Sequence, residues 1–211
     1  MASVNKQLSF FLAGEKRETF FKRIEYFFPS LDPRYQTITR AYDTSKGAFR
    51  GKKREGGERY FEHLRAVALI LIDDLRVRDY ELVVAALLHD IVEDIQTWSV
   101  ARVQREFGDR VALLVQWLSK SSALFDLNGE RERLYHRRFQ FAPRDFFIIK
   151  LADRWHNLLT LHYCSKAKQR RKIVETKLYY LPYAERELIL LHEIEAATDS
   201  IEKTWSKKHA P

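Results

Sequence analysis

The sequence has little cysteine, glycine or proline. Its 211 residues include one cysteine, so no intrachain disulfide can form and a metal site built from several thiolates is excluded. Seven glycines and five prolines argue against a turn-rich β architecture and against long linkers. No hydrophobic run approaches the roughly 20 residues of a membrane span, and the charges from Glu15 onward argue against a signal peptide. We therefore expect a cytoplasmic protein.

The composition is that of one folded domain with a basic surface. Hydrophobic residues make up 45% of the chain and charged residues 31%. The excess of 37 Lys and Arg over 29 Asp and Glu suits an anionic partner, although it is equally compatible with a solvated basic surface. Because the basic residues are spread over many predicted helices, a nucleic-acid partner is disfavoured. A small nucleotide is the partner we expect, and no membrane partner.

Helical patterns cover most of the chain and predict an all-α fold. We expect an N-terminal helical extension over residues 1–40, serving as extra packing or as a homo-oligomer surface, and a single domain over 41–205. A basic loop is predicted at 50–59 and a polar connection at 121–129. The predicted helices are 6–28, 34–49, 60–75, 79–94, 97–107, 109–120, 130–141 and 144–163, with two more flanking Pro182.

Polar residues interrupt the apolar helix predicted at 79–94. His89 and Asp90 directly follow a run of Val, Ala and Leu, and Glu93 and Asp94 lie one turn later. Buried carboxylates are costly unless they are paired, hydrogen-bonded or bound to a metal. Alternatively, the last turn of this helix is simply exposed to solvent. This explanation is stronger for Glu93 and Asp94 than for His89 and Asp90.

Two further positions could complete a site with these residues. Asp153 and Asn157 share one helical face at a spacing of four, and His63 stands near the start of another predicted helix. Each is a weak signal alone, and a single histidine beside aromatic residues is usually structural. Together, two histidines and two aspartates on three helices could hold one divalent ion such as Mn, Fe or Zn. Glu93 and Asp94 could then orient or deprotonate a water, and neighbouring Lys and Arg side chains could neutralise phosphates.

The ordered motifs resemble the hydrolase domain of RelA/SpoT homologues over about residues 41–190. The resemblance rests on several segments: Arg54-x-x-Gly57-x-x-Tyr60-x-x-His63, Ala86-Leu-Leu-His-Asp90-x-x-Glu-Asp94, Phe107-Gly108, Ser119-Lys120, Lys150-Leu-Ala-Asp-Arg-x-His-Asn157-x-x-Thr160, and weaker matches near Glu175 and Pro182. A histidine–aspartate pair alone occurs by chance. The complete ordered set is far more specific.

This resemblance implies an all-helical HD-domain fold and a Mn-dependent hydrolase that removes the 3′-diphosphate of guanosine tetra- and pentaphosphate. Since 211 residues leave no room for that family's synthetase domain, it implies a stand-alone small alarmone hydrolase. The implied metal ligands are His63, His89, Asp90 and Asp153; the implied catalytic pair is Glu93 and Asp94; and the expected substrate-binding residues are Lys53, Arg54, Lys150, Arg154, Asn157 and Thr160.

Some positions depart from that family's pattern. Leu64 replaces a usual proline, Phe49 a common histidine, and Glu55-Gly56 a Lys-Ser pair in the loop that recognises the base. None of these changes removes an implied ligand, but the loop changes leave the base selectivity open. The alternatives are therefore an enzyme for another 3′-phosphorylated nucleotide, NADPH or an RNA end, and a non-catalytic nucleotide sensor.

Overall fold

The computed structural model describes residues 8–11, 14–120 and 130–206, and these residues form the expected all-α fold. Within them, the only β-type pairing is an isolated antiparallel bridge between Lys53 and Arg59. No helix of these ranges has the length and apolarity that a membrane crossing requires. The helices are α1 Arg17–Glu25, α2 Pro33–Ala48, α3 Tyr60–Leu69, α4 Tyr80–Leu88, α5 Ile91–Asp94, α6 Val100–Phe107, α7 Asp109–Leu118, α8 Glu130–Arg137, α9 Arg144–Leu159, α10 Lys166–Tyr179, α11 Leu181–Glu187 and α12 Leu191–Ser206.

Side-chain caps explain why several helices begin near the predicted positions. Asp32 accepts a hydrogen bond from the Arg34 amide at 2.8 Å, and Pro33 occupies the first turn of α2. Asp79 caps α4 in the same way, through the Glu81 amide at 2.9 Å. The predicted connection at 121–129 lies outside the described residues.

Helix α4 lies at the centre of the fold, as its apolar sequence predicts. It packs against α2, α3, α7 and α9, and its residues from Leu82 to Leu88 are buried. The predicted continuous helix over 79–94 is wrong, however, because α4 ends at Leu88 and a turn at His89 and Asp90 precedes α5. Asp90 adopts φ −100° and ψ −1°, a sparsely populated region in which active-site residues are often found.

Three other predicted helices change from α to another helical geometry before their predicted ends. Helix α3 continues into a π-helical turn, Ile70–Asp74, and a positive φ of 57° at Arg76 then reverses the chain. Helices α8 and α9 are followed by 3-10 turns, Arg138–Phe141 and Leu161–Tyr163. In the predicted helix 6–28, the described residues form a 3-10 turn, Ser9–Phe11, and α1.

An arginine on α7 ties together the beginnings of α4 and α9. The Arg110 guanidinium contacts Asp79 at 2.7 Å and Glu81 at 2.8 Å, both at the start of α4. Its other terminal nitrogen donates to Asp145, in the first turn of α9, at 2.7 Å. These charge-assisted bonds fix where the two helices start relative to each other.

Candidate active site

The four predicted metal ligands meet at the centre of the bundle. His63 comes from α3, His89 and Asp90 from the turn after α4, and Asp153 from α9. The Nε2 of His63 lies 3.2 Å from Oδ1 of Asp153 and 3.9 Å from Oδ2 of Asp90. The Nε2 of His89 lies 3.3 Å from Oδ2 of Asp90 and 3.8 Å from Oδ1 of Asp153. Two imidazole nitrogens thus face the same two carboxylates.

His89 is arranged as a metal ligand would be. Its Nδ1 lies 2.8 Å from the carbonyl oxygen of Ala86, which can only accept, so Nδ1 carries a hydrogen. Its Nε2 is buried and makes no hydrogen bond. Burial alone would lower the pKa of His89, but Asp90 and Asp153 raise it to about 9. In the metal-free protein at neutral pH, a proton on His89 therefore takes the place of a cation.

The other ligands are also held by hydrogen bonds from neighbouring side chains. Asp153 accepts from Lys150 at 3.0 Å and from Asn157 at 2.5 Å. Burial favours its neutral form, but Lys150 and the nearby imidazoles hold its pKa well below the usual range. Asp90 accepts from the Tyr60 hydroxyl at 2.7 Å. This buried set of two imidazoles and two ionised carboxylates suits a divalent ion.

The predicted catalytic carboxylates occupy different surroundings. Glu93 lines the cavity next to the candidate metal centre. Its Oε2 accepts from the backbone amide of Lys120 at 3.1 Å, and Oε1 lies 3.6 Å from Arg131. Asp94 instead pairs with Lys52 at 2.8 Å. Of the two carboxylates, Glu93 is the one directed at the cavity.

A cavity of about 380 Å³ opens beside the candidate metal centre. It is lined by all six residues predicted to bind substrate: Lys53, Arg54, Lys150, Arg154, Asn157 and Thr160. Arg54 donates to Asn157 at 2.5 Å. The charges of Lys150 and Arg154 are already partly compensated, because these side chains bind Asp153 and Glu175 at 3.0 and 2.7 Å respectively.

Three further cations line this cavity that the sequence did not single out as binding residues. They are Lys120, Lys168 and Lys172. Lys120 stands in one of the quoted motifs. Lys168 and Lys172 are four residues apart on α10, and that common helical face was the available signal. The cavity is therefore more cationic than predicted, which suits a substrate with several phosphates.

A second cluster of potential metal ligands lies next to two of these cations, Lys120 and Lys172. Glu132, His136 and Glu175 place one ligand atom each within 4.8 Å of one another. Lysine and arginine side chains already bind both carboxylates: Lys172 reaches Glu175 at 2.6 Å and Lys120 reaches Glu132 at 2.9 Å. Because these cations supply the positive charge, the cluster supports the lining cations and is a poor site for a metal.

Two histidines and two aspartates, carried on α3, on α9 and on the turn after α4, place the protein among all-α proteins with a candidate divalent-metal centre. The family follows from comparison with known proteins. The family model described as HD domain matches residues 41–190. The chain belongs to this HD-domain family.

Several curated proteins resemble the chain over most of its length. A GTP pyrophosphokinase of Streptomyces coelicolor is 37% identical over 163 residues, covering 74% of this chain. The bifunctional (p)ppGpp synthase/hydrolase SpoT of Escherichia coli is 33% identical over 189 residues, covering 83%. The chain spans only 19% and 26% of the lengths of these relatives.

A solved structure of a metazoan SpoT orthologue shares the fold. That orthologue is described as a protein that hydrolyses ppGpp and plays a role in starvation responses. The TM-score is 0.71, and the match covers 78% of this chain and 94% of that one. At 23% identity, this likeness establishes the fold.

Proposed function

We propose that this protein is a Mn²⁺-dependent hydrolase of guanosine 3′-diphosphate 5′-di- or triphosphate, which releases pyrophosphate and GDP or GTP. The observation that carries the proposal is the cluster of His63, His89, Asp90 and Asp153, which lies beside a cation-lined cavity containing Glu93. The names of the relatives support it, since SpoT of Escherichia coli is called a (p)ppGpp synthase/hydrolase. The cytoplasmic location, the oligomeric state and the domain boundary at 40/41 stay predictions.

The four clustered residues would hold the ion. His89 would offer Nε2, which has no hydrogen-bond partner, and Asp90 and Asp153 would offer carboxylate oxygens that other side chains already orient. When bound, a divalent ion lowers the pKa of water and offsets negative charge on a phosphoryl oxygen.

Glu93 is placed to act as the general base. In the proposed reaction, water attacks the phosphorus bonded to the 3′ oxygen, Glu93 takes a proton from that water, and the phosphorus–oxygen bond breaks. The bonding electron pair stays on the 3′ oxygen, which takes up a proton. The Lys120 amide and Arg131 hold the Glu93 carboxylate in position. Asp94, which is bound to Lys52, would stabilise the short helix α5 that carries Glu93.

The remaining cavity residues would bind the nucleotide. The Arg54–Asn157 pair presents a guanidinium group, which can engage a phosphate through two parallel bonds. Lys53 adds charge at the cavity, as do Lys120 and Lys172, which Glu132 and Glu175 hold in place. Thr160 offers a hydroxyl at the same wall.

The test is release of pyrophosphate from guanosine tetraphosphate by the purified, Mn²⁺-loaded protein. Asp90→Ala should abolish turnover. Glu93→Gln should lower kcat by about 10²- to 10⁴-fold, the usual contribution of a general base. Glu106→Gln, the same substitution in the Arg102–Glu106 pair on α6, is the matched control and should leave kcat unchanged. Absence of turnover with any of several divalent ions would overturn the proposed substrate.

A second candidate is an enzyme for another phosphorylated nucleotide, such as NADPH or a 3′-phosphorylated RNA end. The loop at the base-binding end favours it. Lys168 of α10 binds Glu55, and a side chain at Gly56 would meet the Glu58 carboxylate and the ring of Tyr163. Comparison of kcat/KM across guanosine, adenosine and dinucleotide substrates separates the two candidates. Tight nucleotide binding without turnover would instead favour a sensor.

A further inference from the structure

The ligand His63 has a neighbour that determines which of its nitrogens is free. Its Nδ1 lies 2.9 Å from Nδ1 of His156, and both rings are buried. A hydrogen bond between two imidazole nitrogens needs one donor and one acceptor. The pair alone does not decide which ring donates.

Arg54 decides it. Its terminal nitrogen lies 3.2 Å from the same Nδ1 of His156. A guanidinium group can only donate, so Nδ1 of His156 must be an acceptor. The hydrogen shared between the histidines then sits on Nδ1 of His63, which leaves a lone pair on its Nε2. Asp153 opposes this tautomer, because its carboxylate oxygen, 3.2 Å from Nε2, can only accept and favours a hydrogen there. A cation between Nε2 and Asp153 removes that conflict, so the contacts of His156 favour the tautomer that can bind a metal.

Two aromatic rings from the N-terminal turn hold the His156 ring. Phe11 stacks on it with ring centres 5.8 Å apart and an angle of 27°, and Phe10 lies 5.6 Å away. Ser9 anchors this turn by donating to Asp73 at 2.6 Å. The N-terminal segment therefore reaches the back of the candidate metal centre.

We propose that His156 is a positioning residue that fixes His63 in its metal-binding tautomer, and that the Phe10–Phe11 turn keeps the His156 ring in place. The inference rests on the metal centre of the proposed function and does not depend on which nucleotide is hydrolysed. It links Arg54, on the substrate side, to a metal ligand through one shared acceptor nitrogen.

The first measurement is the Mn²⁺ dissociation constant, by competition with a chelator. His156→Leu replaces the imidazole ring with an apolar side chain that has no acceptor, and should weaken Mn²⁺ binding by about 10- to 100-fold, as loss of a residue that orients a ligand usually does. His156→Asn keeps an acceptor near the position of Nδ1 and should restore most of the affinity. Phe11→Ala should weaken binding, whereas Phe141→Ala, at another exposed phenylalanine, should not.

The second measurement is the ¹⁵N chemical shifts of His63 in metal-free protein. We expect the hydrogen on Nδ1 in the wild type, and its transfer to Nε2 in His156→Leu. A wild-type His63 with its hydrogen on Nε2, or a folded His156→Leu that binds Mn²⁺ as tightly as the wild type, would overturn the inference. If His156→Leu does not fold, the Phe11→Ala affinity and the wild-type shifts still decide. Failure to hydrolyse guanosine tetraphosphate would affect neither result.

Discussion

The buried pair of Lys150 and Asp153 gives the sharpest stability prediction. Both side chains are more than nine-tenths buried, and Nζ lies 3.0 Å from Oδ2. In the metal-free protein at neutral pH, they sit with protonated His89 and ionised Asp90, so two positive and two negative charges balance. Removing one charge of a buried pair costs about 3–5 kcal/mol, because the other remains desolvated and unpaired.

We therefore expect Lys150→Met and Asp153→Asn each to lower the free energy of unfolding by about 3 kcal/mol in metal-free protein at pH 7. For a chain of this size, the corresponding fall in Tm is roughly 6–12 °C. The double variant leaves neither charge unpaired and should lose at least about 2 kcal/mol less than the sum of the single losses. Urea unfolding of the wild type and three variants provides the thermodynamic cycle.

The exposed pair Lys177–Glu202 is the matched control, with the ammonium 2.7 Å from the carboxylate. Lys177→Met and Glu202→Gln should couple by less than about 1 kcal/mol. The opposite view is that Asp153 mainly repels Asp90, so that removing it relieves the metal-free site. A stabilising Asp153→Asn, or additive losses in the buried pair, would refute our reasoning.

Three further effects follow from local geometry. The raised pKa of His89 stabilises the metal-free protein by about 3 kcal/mol below about pH 6.5, and this contribution is lost as the pH rises through about 9. The midpoint of urea unfolding should therefore fall from pH 6 to pH 10 in the wild type and change less in His89→Gln. Leu87→Ala in the centre of α4 should cost about 2–5 kcal/mol in the same assay. Ser99→Ala, which removes the cap on the Arg102 amide, should cost about 1 kcal/mol.

The helices and the ligand set were accessible from sequence because both depend on local patterns. Apolar spacing and capping residues locate α2 and α4, and the ordered motifs identify His63, His89, Asp90 and Asp153 as a group. The turn at His89 and Asp90 was missed. These residues allow a helix, and the interruption places Asp90 where its carboxylate accepts from the Tyr60 hydroxyl and lies 3.3 Å from Nε2 of His89.

The contacts around the metal ligands could not be predicted from the sequence. The bond of Glu93 to the Lys120 amide joins residues 27 positions apart, and the approach of Phe11 to His156 joins the N-terminal segment to α9. Backbone donors and aromatic stacking leave no pattern in a single sequence. The difference between Glu93 and Asp94 likewise depends on which way each side chain leaves a short helix, which spacing alone does not determine.

The contacts of Arg110 determine where an insertion or deletion in the chain would disturb the candidate metal centre. Its contacts at Glu81 and Asp145 each lie eight residues before a ligand, His89 on one helix and Asp153 on the other. Eight helical residues span about 12 Å, so the two segments 81–89 and 145–153 (the two arms) are equal in length, and each starts at a contact with Arg110. Inserting one residue in either arm would advance its ligand by about 1.5 Å and rotate it by about 100°. Length changes within these two intervals should therefore misalign the ligands.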